Sequence, residues 1–259
     1  MVKFQMPCQP VIGGVETMDK KELLKYAVAY TYGDGSLAFH GKECRFEATC
    51  IVDNMDYILW RKSILENITG VGIYEVKDKR PTRRLIIKTY TQCHPLFTQI
   101  YQRLYLNGRK VLDPHYLKLF DWETLAILYM DDGNLRQCHP QDYKGKVYKP
   151  ALVANIATHS FSYSDNLMLK ETIKNNLGIE FNINRACMST SGNQLYMLVL
   201  RTTSFPRFRD NITPYMQKSF MYKLYPNAEL VNLNDNDGDI VRSAENNNLQ
   251  SETEMNLTI

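Results

Sequence analysis

The stretch that decides the fold is LAILYMDDGNL, residues 125–135, an apolar run that ends in two carboxylates, Asp131 and Asp132, followed by Gly133. A helix over this run places both acids at its C-terminal end, where backbone carbonyls already carry partial negative charge. Each acid there costs roughly 0.3–1 kcal/mol. A local rule broken in this way points to a functional site, with a cation as the missing partner. The earlier segment LLKYAVAYTYGDGSL (23–37) ends the same way, at Asp34-Gly35, 98 residues before Asp132-Gly133.

The likeness extends in both directions. Asp19 and Asp121 stand where N-caps belong, with Glu22 completing a capping box, and Met18/Leu23 and Phe120/Leu125 have staple spacing. Downstream, alternation predicts a hairpin over 36–52, a helix over 53–69, a second hairpin over 72–90 and a helix over 94–106. The second half predicts strands near 134–139 and 147–160, a helix over 163–177, strands near 179–187 and 194–202, and a helix from about 204. Pro95-x-Phe97 and Pro206-x-Phe208 open the last helix of each half, with Lys110 15 residues and Lys223 17 residues after the proline. The economical account is an internal duplication: an α+β fold of two pseudo-symmetric αββαββα repeats, over 17–118 and 119–225, with an N-terminal extension (1–16) and a tail (226–259).

Composition sets the partners. No apolar run approaches the roughly 18–20 residues of a membrane span, and MVKFQMPCQP lacks a secretory core, so an intracellular protein without a membrane partner is expected. From Pro226 onward seven acids face one base, which leaves residues 1–225 at a net +9. A basic body indicates a polyanionic partner, and the acidic, Asn-rich tail reads as disordered. None of the six cysteines forms a CxxC pair. QCHP occurs at 92–95 and 137–140; the first copy reads as a helix start with Pro95 in the first turn, and free thiols are expected over a zinc site.

Two like units in one chain tend to pack about a pseudo-twofold axis. If the apolar helices form that interface, with Ala27, Ala29 and Gly33 allowing close approach, Asp34 and Asp132 meet at one end. Paired carboxylates make a hard, oxygen-ligand cation site suited to magnesium, and helix-end carbonyls could add ligands. Lys110 and Lys223 would flank it and stabilise charge on a phosphate.

These residues resemble the LAGLIDADG homing endonucleases, specifically the monomeric, two-repeat branch of mobile introns. The nine-residue signature falls on Ala27–Gly35 (AVAYTYGDG) and Leu125–Gly133 (LAILYMDDG). Gly108-Arg109-Lys110 and Met221-Tyr222-Lys223-Leu224 are also similar to the family, and the resemblance covers about residues 15–226. It implies that Asp34 and Asp132 are the metal-binding catalytic acids, that Lys110 and Lys223 are the basic active-site residues, and that the cofactor is Mg²⁺ or Mn²⁺. The reaction implied is hydrolysis of one phosphodiester on each strand of a long DNA target by a monomer, leaving short 3′ overhangs. Ile127 and Asp131 depart from the Gly and Ala of the signature, so close helix packing there is an open question, and Asp131 is not assigned as a ligand.

The resemblance further implies a β-saddle that reads double-stranded DNA in the major groove. Period-two alternation nominates Arg45, Glu47, Glu75, Lys77, Lys79, Arg84 and Lys88 in the first half. In the second it nominates Asn155, Thr158, Arg185, Asn193, Gln194, Tyr196 and Arg201. Two other readings use the same fold: an RNA-binding intron maturase, and a non-cleaving sequence-specific DNA-binding protein. The chain neither begins with Cys or Ser nor ends in His-Asn, so an intein is not expected.

Overall fold

The computed structural model describes residues 18–76, 84–138, 142–143, 146–147 and 151–225. The readings of the N-terminal extension and of the acidic tail lie outside these residues, as do Lys77 and Lys79.

Asp19 caps the first apolar helix, α1 (Lys20–Tyr32), by accepting from the Glu22 amide, and Asp121 caps α5 (Trp122–Asp132) by accepting from the Thr124 amide. Residues 26–32 of α1 and 124–130 of α5 are all buried. A helix buried on every side belongs inside a core, and these two pack on each other at the centre of the body. Ala27 and Ala29 are 0% and 1% exposed. At the N-terminal pole Lys25 bridges Glu123 (2.7 Å) and Asp121 (3.0 Å), and Tyr26 donates to Glu123.

Each helix feeds a four-stranded antiparallel sheet. The first contains β1 (Ser36–His40), β2 (Glu43–Ile51), β3 (Val71–Val76) and β4 (Ile86–Thr91) in the order β1-β2-β4-β3. Helix α2 (Met55–Leu65) joins its two hairpins, and α3 (Pro95–Leu104) packs behind β2. His94 caps α3 by accepting from the Leu96 amide, so the first QCHP is a helix start as read. The chain then makes a short hairpin, β5 (Tyr105–Leu106) and β6 (Arg109–Lys110), and a turn of helix, α4 (Pro114–Leu117). In the second half, β7 (Gly133–Cys138), the small β8 (Asp142–Tyr143) and β9 (Lys146–Val147) pair, and β10 (Ala151–Ile156) precede α6 (Tyr163–Leu177). Strands β11 (Phe181–Met188) and β12 (Gln194–Leu200) complete a sheet of order β11-β12-β10-β7, and α7 (Phe205–Ile212) is followed by 3₁₀ turns through Lys223. The two-repeat α+β architecture is therefore present.

Two boundaries differ from the sequence reading. Of the strand expected near 147–160, the described residues form β9 at Lys146–Val147 and β10 at Ala151–Ile156, which ends four residues early, and the helix expected from about 204 begins at Phe205 as read. The helix expected to reach residue 106 stops at Leu104, because Asn107 and Gly108, at φ 51° and 75°, form the two-residue turn of a hairpin. That hairpin carries Lys110.

Both signatures close on glycine for one steric reason. A Cβ on Gly35 would lie 2.4 Å from the Tyr30 carbonyl oxygen and 2.3 Å from the Phe46 ring. On Gly133 it would lie 2.2 Å from the Tyr129 carbonyl oxygen and 2.2 Å from the Tyr129 ring. The chain leaves each helix folded back against its last turn, and only glycine fits. Gly133→Ala is expected to destabilise the protein by about 1–3 kcal/mol, the usual cost of overpacking, as measured by urea unfolding.

Candidate active site

The ends of α1 and α5 meet, and their acids are held differently. Asp131 reaches across the interface: one carboxylate oxygen accepts the Asp34 backbone N–H at 3.1 Å, and the other accepts the Tyr57 hydroxyl at 2.8 Å. Room for it exists because its counterpart in the first half is glycine. A Cβ on Gly33 would stand 2.1 Å from Asp131 Oδ2. The departure at Asp131 is thus matched by Gly33, and close packing survives. Ile127, the other departure, is fully buried.

Lys110 and Lys223 answer the electrostatic question raised by the sequence. Neither helix has a basic residue in its last turn. Instead the Lys110 ammonium donates to the carbonyls of Gly33 (2.8 Å) and Gly35 (2.6 Å), and Lys223 donates to those of Met130 (2.6 Å) and Tyr129 (3.4 Å). Two distant lysines therefore cap the two negative helix ends. The segments that carry them are fastened to the other half: the Leu112 amide donates to Asp165 of α6, and the Ser219 amide donates to Asp56 of α2.

The carboxylates remain under-compensated. Among the described residues neither lysine forms an ion pair with them; each is directed at carbonyls. Burial, then repulsion from Asp34 and Asp131, pushes the Asp132 carboxyl up to about 7. Burial, then repulsion from Asp34, pushes Asp131 up to about 6. Burial also raises Asp34, against Arg61, Lys223 and Lys110. Burial lowers both lysines, against the pull of the acids. Mutual repulsion of hard oxygen donors is the condition that a divalent cation relieves, so the residues fit such an ion. Among the described residues no group of three or more His, Cys, Asp or Glu side chains forms a complete metal cluster. The remaining positions would fall to carbonyls, water or substrate oxygens. A cavity of about 310 Å³ opens beside Asp34, Asp131 and Lys223, with Cys50 and Asn54 in its wall.

Strand register sorts the residues nominated on the sheets. Thr49 pairs with Lys88, and Tyr74 pairs with Lys88, so Arg45, Glu47, Thr49, Tyr74 and Lys88 share the face away from the helices. Glu47 is central there: Lys88 contacts it at 2.6 Å, the Arg45 guanidinium at 2.5 Å and His40 at 3.5 Å. Arg84, exposed before β4, pairs with Asp53 at 3.2 Å. Glu75 pairs with buried Ile87 and so lies on the helix side.

The second half needs more correction. Asn155 is on the open face but 8% exposed, and Thr158 is buried and bonded to Asn166. Arg185 pairs with Tyr196, in phase with buried Leu198 and Phe181, and Tyr196 packs on Tyr163 of α6 at 5.2 Å, so both belong to the helix side. Gln194, in the same phase, donates to the Ala186 and Leu195 carbonyls. Asn193 lies in the β11–β12 turn, bonded to Ser191, and Arg201 pairs with Glu180 after β12. The exposed open-face residues that sequence reasoning missed are Asn134, Arg136, Asn182 and Asn184. Alternation with Gly133 and Leu135 on β7 and with Phe181 and Ile183 on β11 would have found all four, since the register shift lies beyond them, between Arg185 and Met188. Cys44, Cys50, Cys93 and Cys187 are free thiols.

Comparison with known proteins gives the family and the fold. Residues 32–208 match the model of the LAGLIDADG DNA endonuclease family. A RecA protein of Mycolicibacterium chitae is 26% identical over 204 residues, covering 75% of this chain and 44% of its own, so the chain spans less than half of that relative. The cytochrome b mRNA maturase bI2 of Debaryomyces hansenii is 25% identical over 231 residues, covering 86% of this chain and 81% of its own. Among solved structures, the homing endonuclease I-WcaI bound to its DNA recognition sequence superposes with a TM-score of 0.61 at 17% identity, over 79% of this chain and 86% of that one, and so shares the fold. With its duplicated Asp-Gly helices joined at one carboxylate-rich end, this chain belongs to the LAGLIDADG DNA endonuclease family.

Proposed function

We propose that the protein is a site-specific homing endonuclease that hydrolyses one phosphodiester on each strand of a long DNA target, leaving short 3′ overhangs. The observation that carries this reading is the meeting of Asp34 and Asp132 at one point, with half-buried Lys110 and buried Lys223 brought beside them from distant segments. A divalent cation, Mg²⁺ or Mn²⁺, would supply activation of water and charge neutralisation at the leaving oxygen. Asp34 and Asp132 would hold it. Lys110 and Lys223 keep the helix-end carbonyls in place and set positive charge beside the carboxylates, where a phosphate would sit. Water adds to phosphorus as the ester P–O bond breaks, once per strand, and two pseudo-equivalent acid–lysine sets suit the two strands of a duplex. The test is cleavage of a randomised duplex library with Mg²⁺, followed by sequencing of the ends. Asp34→Asn or Asp132→Asn should lower cleavage by at least about a hundredfold. Cleavage that survives both substitutions would sink the assignment.

A cation also links to stability. Because the folded carboxyls titrate above their ordinary 3.8, the folded protein without divalent ions holds protons that the unfolded chain releases. The stability they contribute is complete below about pH 4 and is lost as pH rises through the folded values near 6 and 7, on the order of a few kcal/mol. Mg²⁺ should therefore raise the melting temperature more at about pH 8 than at about pH 5. Equal shifts at both would contradict metal binding at these acids.

On the open face of the first sheet, Glu47 neutralises Arg45 and Lys88. We read this as restraint on indiscriminate phosphate binding. Glu47→Gln should strengthen binding to unrelated duplex DNA and steepen the log–log salt slope by about 1–2, measured by fluorescence anisotropy.

The likeness to a protein named an mRNA maturase, which the chain matches over 81% of that relative's length, supports a second reading in which intron RNA is also bound. Splicing assays on structured intron RNA would decide it. A non-cleaving DNA-binding protein would have no need of both acids and both lysines.

A further inference from the structure

Arg61 on α2 is 0% exposed, and among the described residues its Nε and Nη2 have no hydrogen-bond partner. A guanidinium so placed is unfavourable unless a compensating charge lies close by. Its surroundings lead to one. The guanidinium carbon lies 5.1 Å from the centre of the Tyr57 ring, the Tyr57 hydroxyl donates to Asp131, and the other Asp131 oxygen accepts the Asp34 N–H. Lys110 and Lys223 do not take this role, because their hydrogens go to carbonyls.

The second half lacks the arrangement. The burial of α2 from Tyr57 to Lys62 repeats residue for residue in α6 from Asp165 to Lys170. In that alignment Arg61 corresponds to buried Leu169, and Tyr57 to Asp165. Asp131 corresponds to Gly33. A buried cation, Arg61, and a partly buried carboxylate, Asp131, thus occur together, in one place, and their symmetry-related positions hold Leu169 and Gly33.

We infer that Arg61 is a positioning residue: its buried charge holds the Asp131 carboxylate beneath Asp34, and Asp131 fixes the main chain that aims the Asp34 side chain. The electrostatic part stands on the chain of contacts from Arg61 over the Tyr57 ring to Asp131; the catalytic consequence rests on the endonuclease reading. Because the hydrogen-bonded relay ends on the main chain of Asp34 and not on that of Asp132, it favours one strand cut over the other.

Two measurements on the full chain test this. In urea unfolding, Arg61→Met and Asp131→Asn are combined in a double-mutant cycle. The double variant is expected to be more stable than the product of the single effects by about tenfold or more in the unfolding constant. Recovery of folding by Asp131→Asn in a chain that Arg61→Met alone unfolds counts as the same result, and additivity overturns the proposal. In strand-resolved cleavage of the selected target, Arg61→Met should slow one strand by about tenfold more than the other, so that nicked duplex accumulates with KM unchanged, while Arg61→Lys restores much of the loss. Equal slowing of both strands overturns the strand preference. If the unsubstituted chain cuts no DNA, the endonuclease reading fails, and the unfolding cycle still decides whether Arg61 and Asp131 are coupled.

Discussion

Three carboxylates are gathered where two helix C-termini converge, and the rest of the structure is arranged around that concentration of negative charge. Helix-end carbonyls and ionised acids repel one another in a site partly removed from water. The chain relieves the carbonyl half of the problem with Lys110 and Lys223, whose ammonium groups reach back to the ends of α1 and α5. The acid half stays unrelieved, as the elevated Asp131 and Asp132 carboxyls record. A fold that neutralises its helix ends yet leaves adjacent acids under strain has kept a place for a cation.

Duplication provides this arrangement, and departures from symmetry refine it. Contacts that cross a pseudo-twofold axis relate a position to its own counterpart, so two large residues there would collide and two small ones would leave a void. Gly33 opposite Asp131 resolves the conflict by making one side small and the other polar. The cost of the added carboxylate is then offset within the same repeat interface by Tyr57 and Arg61. Local symmetry breaking therefore spreads as a set of linked residues, because a buried charge cannot change alone.

Much of this was legible in the sequence. The two Asp-Gly terminations, the caps at Asp19 and Asp121, and the order of helices and hairpins follow from rules that act over a few residues, and those rules hold in both repeats. What the sequence did not disclose depends on through-space register. Lys110 and Lys223 could be paired by spacing, but their attachment to helix-end carbonyls 77 and 93 residues away could not. Gln194, Tyr196 and Arg185 alternate in phase with buried Leu198, Leu200 and Phe181 and so fall on the helix side, a periodicity that the polar side chains at the strand ends obscured. Thr158 is polar yet buried, its hydroxyl satisfied by Asn166. The Asn107-Gly108 turn was readable as a hairpin signal, and the apolar run before it concealed that reading.

The open face of the first sheet carries the same logic outward. Charge alone would draw the basic body to any polyanion. Yet Arg45 and Lys88 are directed at Glu47 rather than at solvent, with Arg45 also lying over the Tyr90 ring at 5.6 Å. Cations fixed by a carboxylate keep their geometry and lose part of their long-range pull, so they discriminate among surfaces by fit more than by charge. An acid among the bases also penalises any ligand that brings only phosphate to that point. At the helix ends and on the sheet alike, opposite charges are placed to restrict what can bind, and that restriction is what a site-selective reading of DNA requires.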